Sequence, residues 1–151
     1  PFLVLYKSLG LLDSRIGLIL LYTLMVLPIV IWIMRDQFQG IPIELEEAAL
    51  VDGLGIWGAF MQIVMPIALP GMVAAFILSL VLCWNEYFFA ALLTSTNATT
   101  LPVMVASQTG SQGINWWSMA ALSSAAILPL VIVAIALEKY IIRGMAAGAV
   151  K

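Results

Sequence analysis

The sequence predicts an all-α membrane protein, a bundle of several spanning helices, on three observations. Of the 151 residues, 64% are hydrophobic, against about 45–50% in a soluble domain. Charged residues make up 9% where about 25% is usual, and the mean hydropathy is +1.12. The apolar residues also fall in long runs, and crossing a bilayer takes about 20 of them in a helix. Backbone groups in hydrocarbon must bond within their own segment, so runs of this kind form helices.

Composition also excludes several classes of function. Six basic against eight acidic residues give a net charge of -2, with no basic stripe to release counterions, so no nucleic acid is expected as a partner. The absence of histidine removes the commonest general base, nucleophile activator and metal ligand. Cys83 is the single cysteine, so neither an internal disulfide nor a paired-cysteine site is possible. Nothing in the sequence implies a cofactor.

Taken in order, the apolar run Pro1 to Tyr6 ends at Lys7, far too early to span. It reads as the end of a fourth helix whose beginning is missing, or as a short apolar tag. Lys7 follows the run instead of preceding it, which disfavours a signal peptide. Residues 16–34 form the first full span, with Pro28 tolerated inside because packing partners satisfy the freed carbonyl. Residues 41–65 carry Glu44, Glu46, Glu47 and Asp52 together with Gly53, Gly55 and Gly58, a polar interlude outside lipid. Residues 67–93 are the second span, interrupted only by Ser79 and the pair Asn85 and Glu86. Residues 94–115 are rich in Ser, Thr, Gly, Gln and Asn and read as an ordered loop. Residues 116–137 are the third span, opening on Trp116 and Trp117 at headgroup depth, and 138–151 form a charged tail. Alternation places Arg35, Lys139, Arg143 and Lys151 on one side and Lys7 and Arg15 on the other, so the positive-inside rule makes the interlude and tail cytoplasmic and the 94–115 loop external.

Within the interlude, IPIELEEAALVDG (41–53) has a full set of helix signals. Pro42 suits the first helical position and Glu44, Glu46 and Glu47 favour the positive end of the dipole. Gly53 supplies a left-handed stop. By itself this reads most simply as a surface hairpin joining two spans. A second short helix is expected from about Ile56 to Met65, before Pro66. Gly53, Gly55 and Gly58 spell G-x-G-x-x-G, but no strand precedes them, so the dinucleotide reading lacks its context. No phosphate-cradling G-x-x-x-x-G-K-[ST] occurs, so any ATP energy must come from another subunit. Gly144 and Gly148 form G-x-x-x-G beyond the last span, where the membrane dimerisation reading does not apply. Asn97-Ala98-Thr99 fits a glycosylation sequon, relevant only in a secretory pathway.

Glu47-Ala48-Ala49, three residues, Gly53, nine residues, Ile63, one residue, then Met65-Pro66 resembles the EAA loop of bacterial ABC importer permeases, with Met65 where Leu is usual. Ile41-Pro42, Glu44-Leu45, Pro66 and Pro70, Trp84-Asn85-Glu86-Tyr87-Phe88 and the terminal Gly148-Ala149-Val150-Lys151 are similar to the carbohydrate-importer, MalG-like branch. The resemblance covers essentially the whole chain and implies its C-terminal part, since family members carry further N-terminal helices. It implies a MalG/MetI-like permease core, a multi-pass protein of the bacterial inner membrane. Such a subunit forms half of a path for a sugar, glycoside or polyol. Implied partners are a cytoplasmic ABC ATPase dimer, a second, MalF-like permease subunit, an extracytoplasmic solute-binding protein, the carbohydrate and lipid. By the same resemblance Glu47, Ala48, Ala49, Asp52 and Gly53 belong to a coupling helix that docks on the ATPase, which carries the ATP hydrolysis, and Gly148 and Lys151 to a tail reaching the ATPase.

Glu86 is the only acid inside an expected span, and burying it alone would cost several kcal/mol or about 2.5–3.5 on insertion scales, so it must face protein or water. On a continuous helix Ser79, Cys83, Glu86, Ala90 and Thr94 share one small or polar face, with Asn85 on its flank. That stripe lines a translocation path, or Glu86 and Asn85 bond a neighbouring helix or lie at the outer interface. Trp84, Tyr87, Phe88 and Phe89 suit an interfacial belt or the stacking of a sugar. An ion-coupled secondary carrier using Glu86 as its proton site, and a non-transporting membrane scaffold, stand as alternatives.

Overall fold

A computed structural model describes the backbone of residues 1–110 and 113–148, with side chains through 140. Its described elements are chiefly helices: α1 (Phe2–Ser8), α2 (Arg15–Gln39), α3 (Ile43–Val51), α4 (Ile56–Ala59), α5 (Met65–Trp84), α6 (Phe88–Leu93), α7 (Leu101–Ala106) and α8 (Trp116–Gly148). The only extended pairing among the described residues is a ribbon two residues long, Thr109 opposite Ile114 and Gly110 opposite Gly113. Among the described residues three helical stretches, Arg15–Gln39, Ile56–Trp84 and Trp116–Tyr140, are long and apolar enough to cross a membrane.

Several boundaries differ from the sequence reading. The chain does not break at Pro66. A π turn over Phe60–Val64 joins α4 to α5, and the helix continues from Ile56 to Trp84. A proline ring clashes with the carbonyl four residues earlier, here Gln62, and the wider turn lies where that clash would fall. The expected 67–93 span is instead interrupted at residues 85–87, between α5 and α6. The 94–115 loop contains α7, started by Pro102 in its first turn. Glu138 and Lys139 end the apolar stretch but not the helix, because both are good helix formers and α8 runs on through the Ala-rich segment to Gly148. Of the tail residues, Gly148 is the last of α8 and Lys151 lies outside the described residues.

The chain divides into two compact units. The first combines Pro1–Val26 with Leu80–Val133. Here Tyr6, Leu21 and Leu93 form one buried cluster and Leu18, Ala90 and Ala98 another, with Tyr22 against both. The Tyr6 phenol donates to the carbonyl of Gly17 at 3.0 Å, joining α1 to α2. The small Ala90 and Ala98 let α6 and the following loop lie close on the start of α2.

The second unit comprises Leu27–Ser79 and Ala134–Lys151, described to Gly148. Its buried cluster is Ile41, Val64 and Ala68, flanked by Phe60. The Phe60 ring lies 5.6 Å from Trp57 and 6.2 Å from Phe38. Ile41, in the turn between α2 and α3, thus packs where the π turn passes into α5. Higher in the same unit Gly71 is buried, and a Cβ added there would collide with the Gln37 side chain of α2. The absence of a side chain is what allows this approach.

Candidate functional site

Two regions carry the residues singled out in the sequence. In the second unit, α3 begins with extended backbone at Pro42, which is the N-cap and not the first helical residue, and has Glu44 and Glu46 in its first turn. Its end is closed by backbone bonds. The Gly53 N–H donates to the Leu50 carbonyl at 3.1 Å and the Leu54 N–H to the Ala49 carbonyl at 3.0 Å, the two bonds of a Schellman stop. Gly53 takes φ +90°, which a side chain would oppose. Glu47, Ala48, Asp52 and Gly53 are exposed on this capped helix. Ala49 is not part of that surface, for it is only 5% exposed. Its place is taken by apolar residues that acidity had masked in the sequence: Val51, Ile56 and Trp57 are 87%, 80% and 71% exposed. The signal was present, because valine, isoleucine and tryptophan are out of place in a solvated connector.

In the first unit the Trp84-Asn85-Glu86-Tyr87 segment closes one helix and opens another. The Asn85 backbone N–H and side-chain amide both donate to the Val81 carbonyl, at 3.1 and 2.8 Å, at the end of α5. Glu86 then caps α6: Oε1 accepts from the Phe89 N–H at 2.8 Å and Oε2 from the Ala90 N–H at 3.1 Å. Tyr22 of α2 donates its phenol to Oε2 at 2.9 Å. The carboxylate thus meets three donors, including two of the amides that a helix start leaves without partners. This arrangement removes the continuous face proposed for Ser79, Cys83, Glu86, Ala90 and Thr94, because α5 has ended before Glu86 is reached. Glu86 bonds the neighbouring α2 through Tyr22.

The remaining residues of that stripe are separated. Cys83 lines a cavity of about 360 Å³ with Tyr22, Leu80, Trp84, Thr100 and Leu101, whereas Asn85 lines another of about 420 Å³ with Trp84, Tyr87 and Ser123. Trp84 borders both, and its indole N–H donates to the Ala126 carbonyl of α8 at 3.1 Å. Ser79 lines neither, and its hydroxyl is buried with no partner among the described residues.

Asp13 was missed by sequence reasoning. It occupies the turn between α1 and α2 with φ +50°, and its N–H donates to the Leu93 carbonyl at 2.8 Å. Its carboxylate accepts from the backbone N–H groups of Ser95, Thr96, Asn97 and Ala98, and from the side chains of Ser95, Thr96 and Asn97, at 2.8 to 3.3 Å. These donors, the Ser95 N–H foremost, hold the carboxyl well below its ordinary value against the desolvation that would raise it. The only hint in the sequence is Ser95-Thr96-Asn97, a run of residues prone to turns.

Residues 1–147 match the family model described as "Binding-protein-dependent transport system inner membrane component". Among curated proteins the chain is 36% identical over 152 residues to "Putative ABC transporter permease protein ORF1" of Streptomyces antibioticus, covering 100% of this chain and 66% of that one. It is 36% identical over 154 residues to "Trehalose transport system permease protein SugB" of Mycobacterium tuberculosis, covering 100% and 56%. It is 35% identical over 147 residues to "Trehalose/maltose transport system permease protein MalG" of Thermococcus litoralis, covering 96% and 53%. The chain therefore spans about half to two thirds of the length of these relatives.

Proposed function

Because the chain belongs to the family of inner-membrane components of binding-protein-dependent transport systems, we propose that it is part of the permease subunit of an ABC importer for a carbohydrate. In this reading it encloses half of the translocation path, with a second, MalF-like permease subunit completing it. A cytoplasmic ATPase dimer supplies the hydrolysis and an external binding protein delivers the solute. The carbohydrate class rests on the names of the relatives, which include trehalose and maltose transport systems.

The observation that carries the reading is the capped α3. Glu47, Ala48 and Asp52 stand exposed beside the apolar Val51, Ile56 and Trp57, a mixed surface suited to an interface core with a polar rim. Ile41 and the π turn tie this segment to α5. A helix closed at its end and packed at its base transmits a displacement that a loose connector would absorb. The ATPase docks here, and its closure moves α5. The importer reading is favoured over the carrier alternative by the relatives, one of which is named an ABC transporter permease protein. Gly148 and Lys151 belong in this reading to the tail that meets the ATPase.

The test is purification of the permease from its native membrane, followed by ATP hydrolysis in proteoliposomes with the external binding protein and trehalose, maltose or no sugar. An ATPase subunit that comes with the permease, and hydrolysis stimulated by one of the sugars, is the expected result. Solute uptake without any ATPase, abolished by an uncoupler, would overturn the reading in favour of a carrier.

A further inference from the structure

Asp13 and the segment it grips belong to the first unit, whereas α3 belongs to the second. The carboxylate is wrapped by four successive backbone N–H groups, Ser95 to Ala98, and three side chains. Its own N–H fixes Leu93 at the end of α6. At the other end of α6, Glu86 is bonded to Tyr22 of α2. Between these polar links lie Leu18, Ala90 and Ala98, all buried. α6 is thus fastened to the start of α2 at both ends. Ser95, Thr96 and Asn97 nevertheless remain exposed, so the cage presents a polar edge outward while its backbone is held.

A left-handed conformation at a residue other than glycine is uncommon and costs energy. It persists where surrounding bonds over-determine it. Asp13 can reach the four amides from that conformation, and aspartate is among the few side chains that tolerate it. Charge-assisted bonds are also stronger than neutral ones.

We infer that Asp13 is a positioning residue for transport: by caging Ser95–Ala98 it sets the path of the segment between α6 and α7, and so the polar edge that the solute-loaded binding protein meets. This rests on the permease reading and on the external placement of residues 94–115 that it includes. Asp13 touches neither solute nor nucleotide. It acts through the backbone it holds.

The test uses the permease assembled with its ATPase partner in proteoliposomes, in a Cys83→Ser background. Two quantities are read for Asp13→Asn. One is the rate at which a membrane-impermeant maleimide labels Ala98→Cys, a buried position. The other is the concentration of solute-loaded binding protein that half-maximally stimulates ATP hydrolysis, separated from the maximal rate. Asparagine has a similar shape but turns an amide toward donors, so labelling should accelerate about tenfold as the segment opens locally. Half-saturation should rise about fivefold or more, with the maximal and unstimulated rates unchanged. Faster labelling with unchanged half-saturation would overturn the proposal, because the cage would then serve stability alone. So would no change in either quantity. If Asp13→Asn fails to assemble, Asp13→Ser, which keeps one acceptor oxygen, replaces it, and failure of both would assign Asp13 to folding instead. A wild-type complex unresponsive to any binding protein would sink the permease reading, not this one alone.

Discussion

Tyr22 and Glu86, 64 residues apart in sequence, meet through a hydrogen bond of 2.9 Å from the phenol to Oε2, and that same oxygen accepts from the Ala90 N–H. One carboxylate therefore starts a helix and joins it to another. Removing Tyr22 and removing Glu86 are consequently different experiments.

Tyr22→Phe deletes one donor and leaves both capping bonds, a loss of about 1.5–3 kcal/mol for a bond to a charged group. Glu86→Gln offers one oxygen where the structure uses two, and Glu86→Leu offers none. The apparent melting temperature of the purified protein in detergent should fall in the order Tyr22→Phe, Glu86→Gln, Glu86→Leu, with uptake following the same order. Normal uptake and melting in Glu86→Leu would show that α6 does not depend on this carboxylate.

Gly53→Ala forces a side chain into the left-handed region at a cost of about 1–2 kcal/mol, concentrated at the end of α3. Membrane levels should hold while stimulated ATP hydrolysis drops. Unchanged stimulation would mean that the shape of this stop is immaterial to coupling.

Gly71→Ala places a methyl group against Gln37, overpacking that costs about 1–3 kcal/mol in a filled interior. Gln37→Ala vacates the space. The double variant should recover most of the thermal stability lost by Gly71→Ala, and simple additivity of the two changes would refute the contact.

The Asp13 cage has a defined response to pH. Its carboxyl is held below the ordinary value of 3.8 in the folded protein, so its contribution is fully present above that value and fades as pH falls from there through the folded pKa. The difference in melting temperature between wild type and Asp13→Asn should be constant from pH 8 to pH 5. Below pH 3.8 the difference should shrink, and a difference that stays constant there as well would mean an ordinary carboxylate.

Membrane orientation is checked by single cysteines in a Cys83→Ser background. Glu46→Cys should react with an impermeant maleimide only from the cytoplasmic side and Ile114→Cys only from outside. Ser111, in the same 94–115 segment, lies outside the described residues. The reverse pattern would invert the topology.

Features that depend on local chemistry were legible in the sequence. Residues 16–34 are a helix because nothing else satisfies an apolar backbone in lipid, and α3 announces itself through Pro42, its glutamates and Gly53. What escaped depends on partners far along the chain. The apolar run 67–93 contains no glycine or proline near residue 85, so only the bonds of Glu86 reveal the break there. The π turn before Pro66 is likewise invisible to a rule that ends helices at proline. Ala49 belongs to the motif but faces inward, because motif spacing does not say which side of a one-turn neighbour is covered. Asp13 looked like any acid in a connector, since its donors begin at Ser95.

That separation governs when the protein can finish its architecture. The Asp13 to Ser95 bonds close 82 residues of chain, and synthesis proceeds at about 5–20 residues per second. For roughly 4–16 s after Asp13 emerges, the start of α2 lacks its cage. The start of α2 is therefore joined to α1 through Tyr6 and Gly17 well before α6 and the segment after it can be fastened to it.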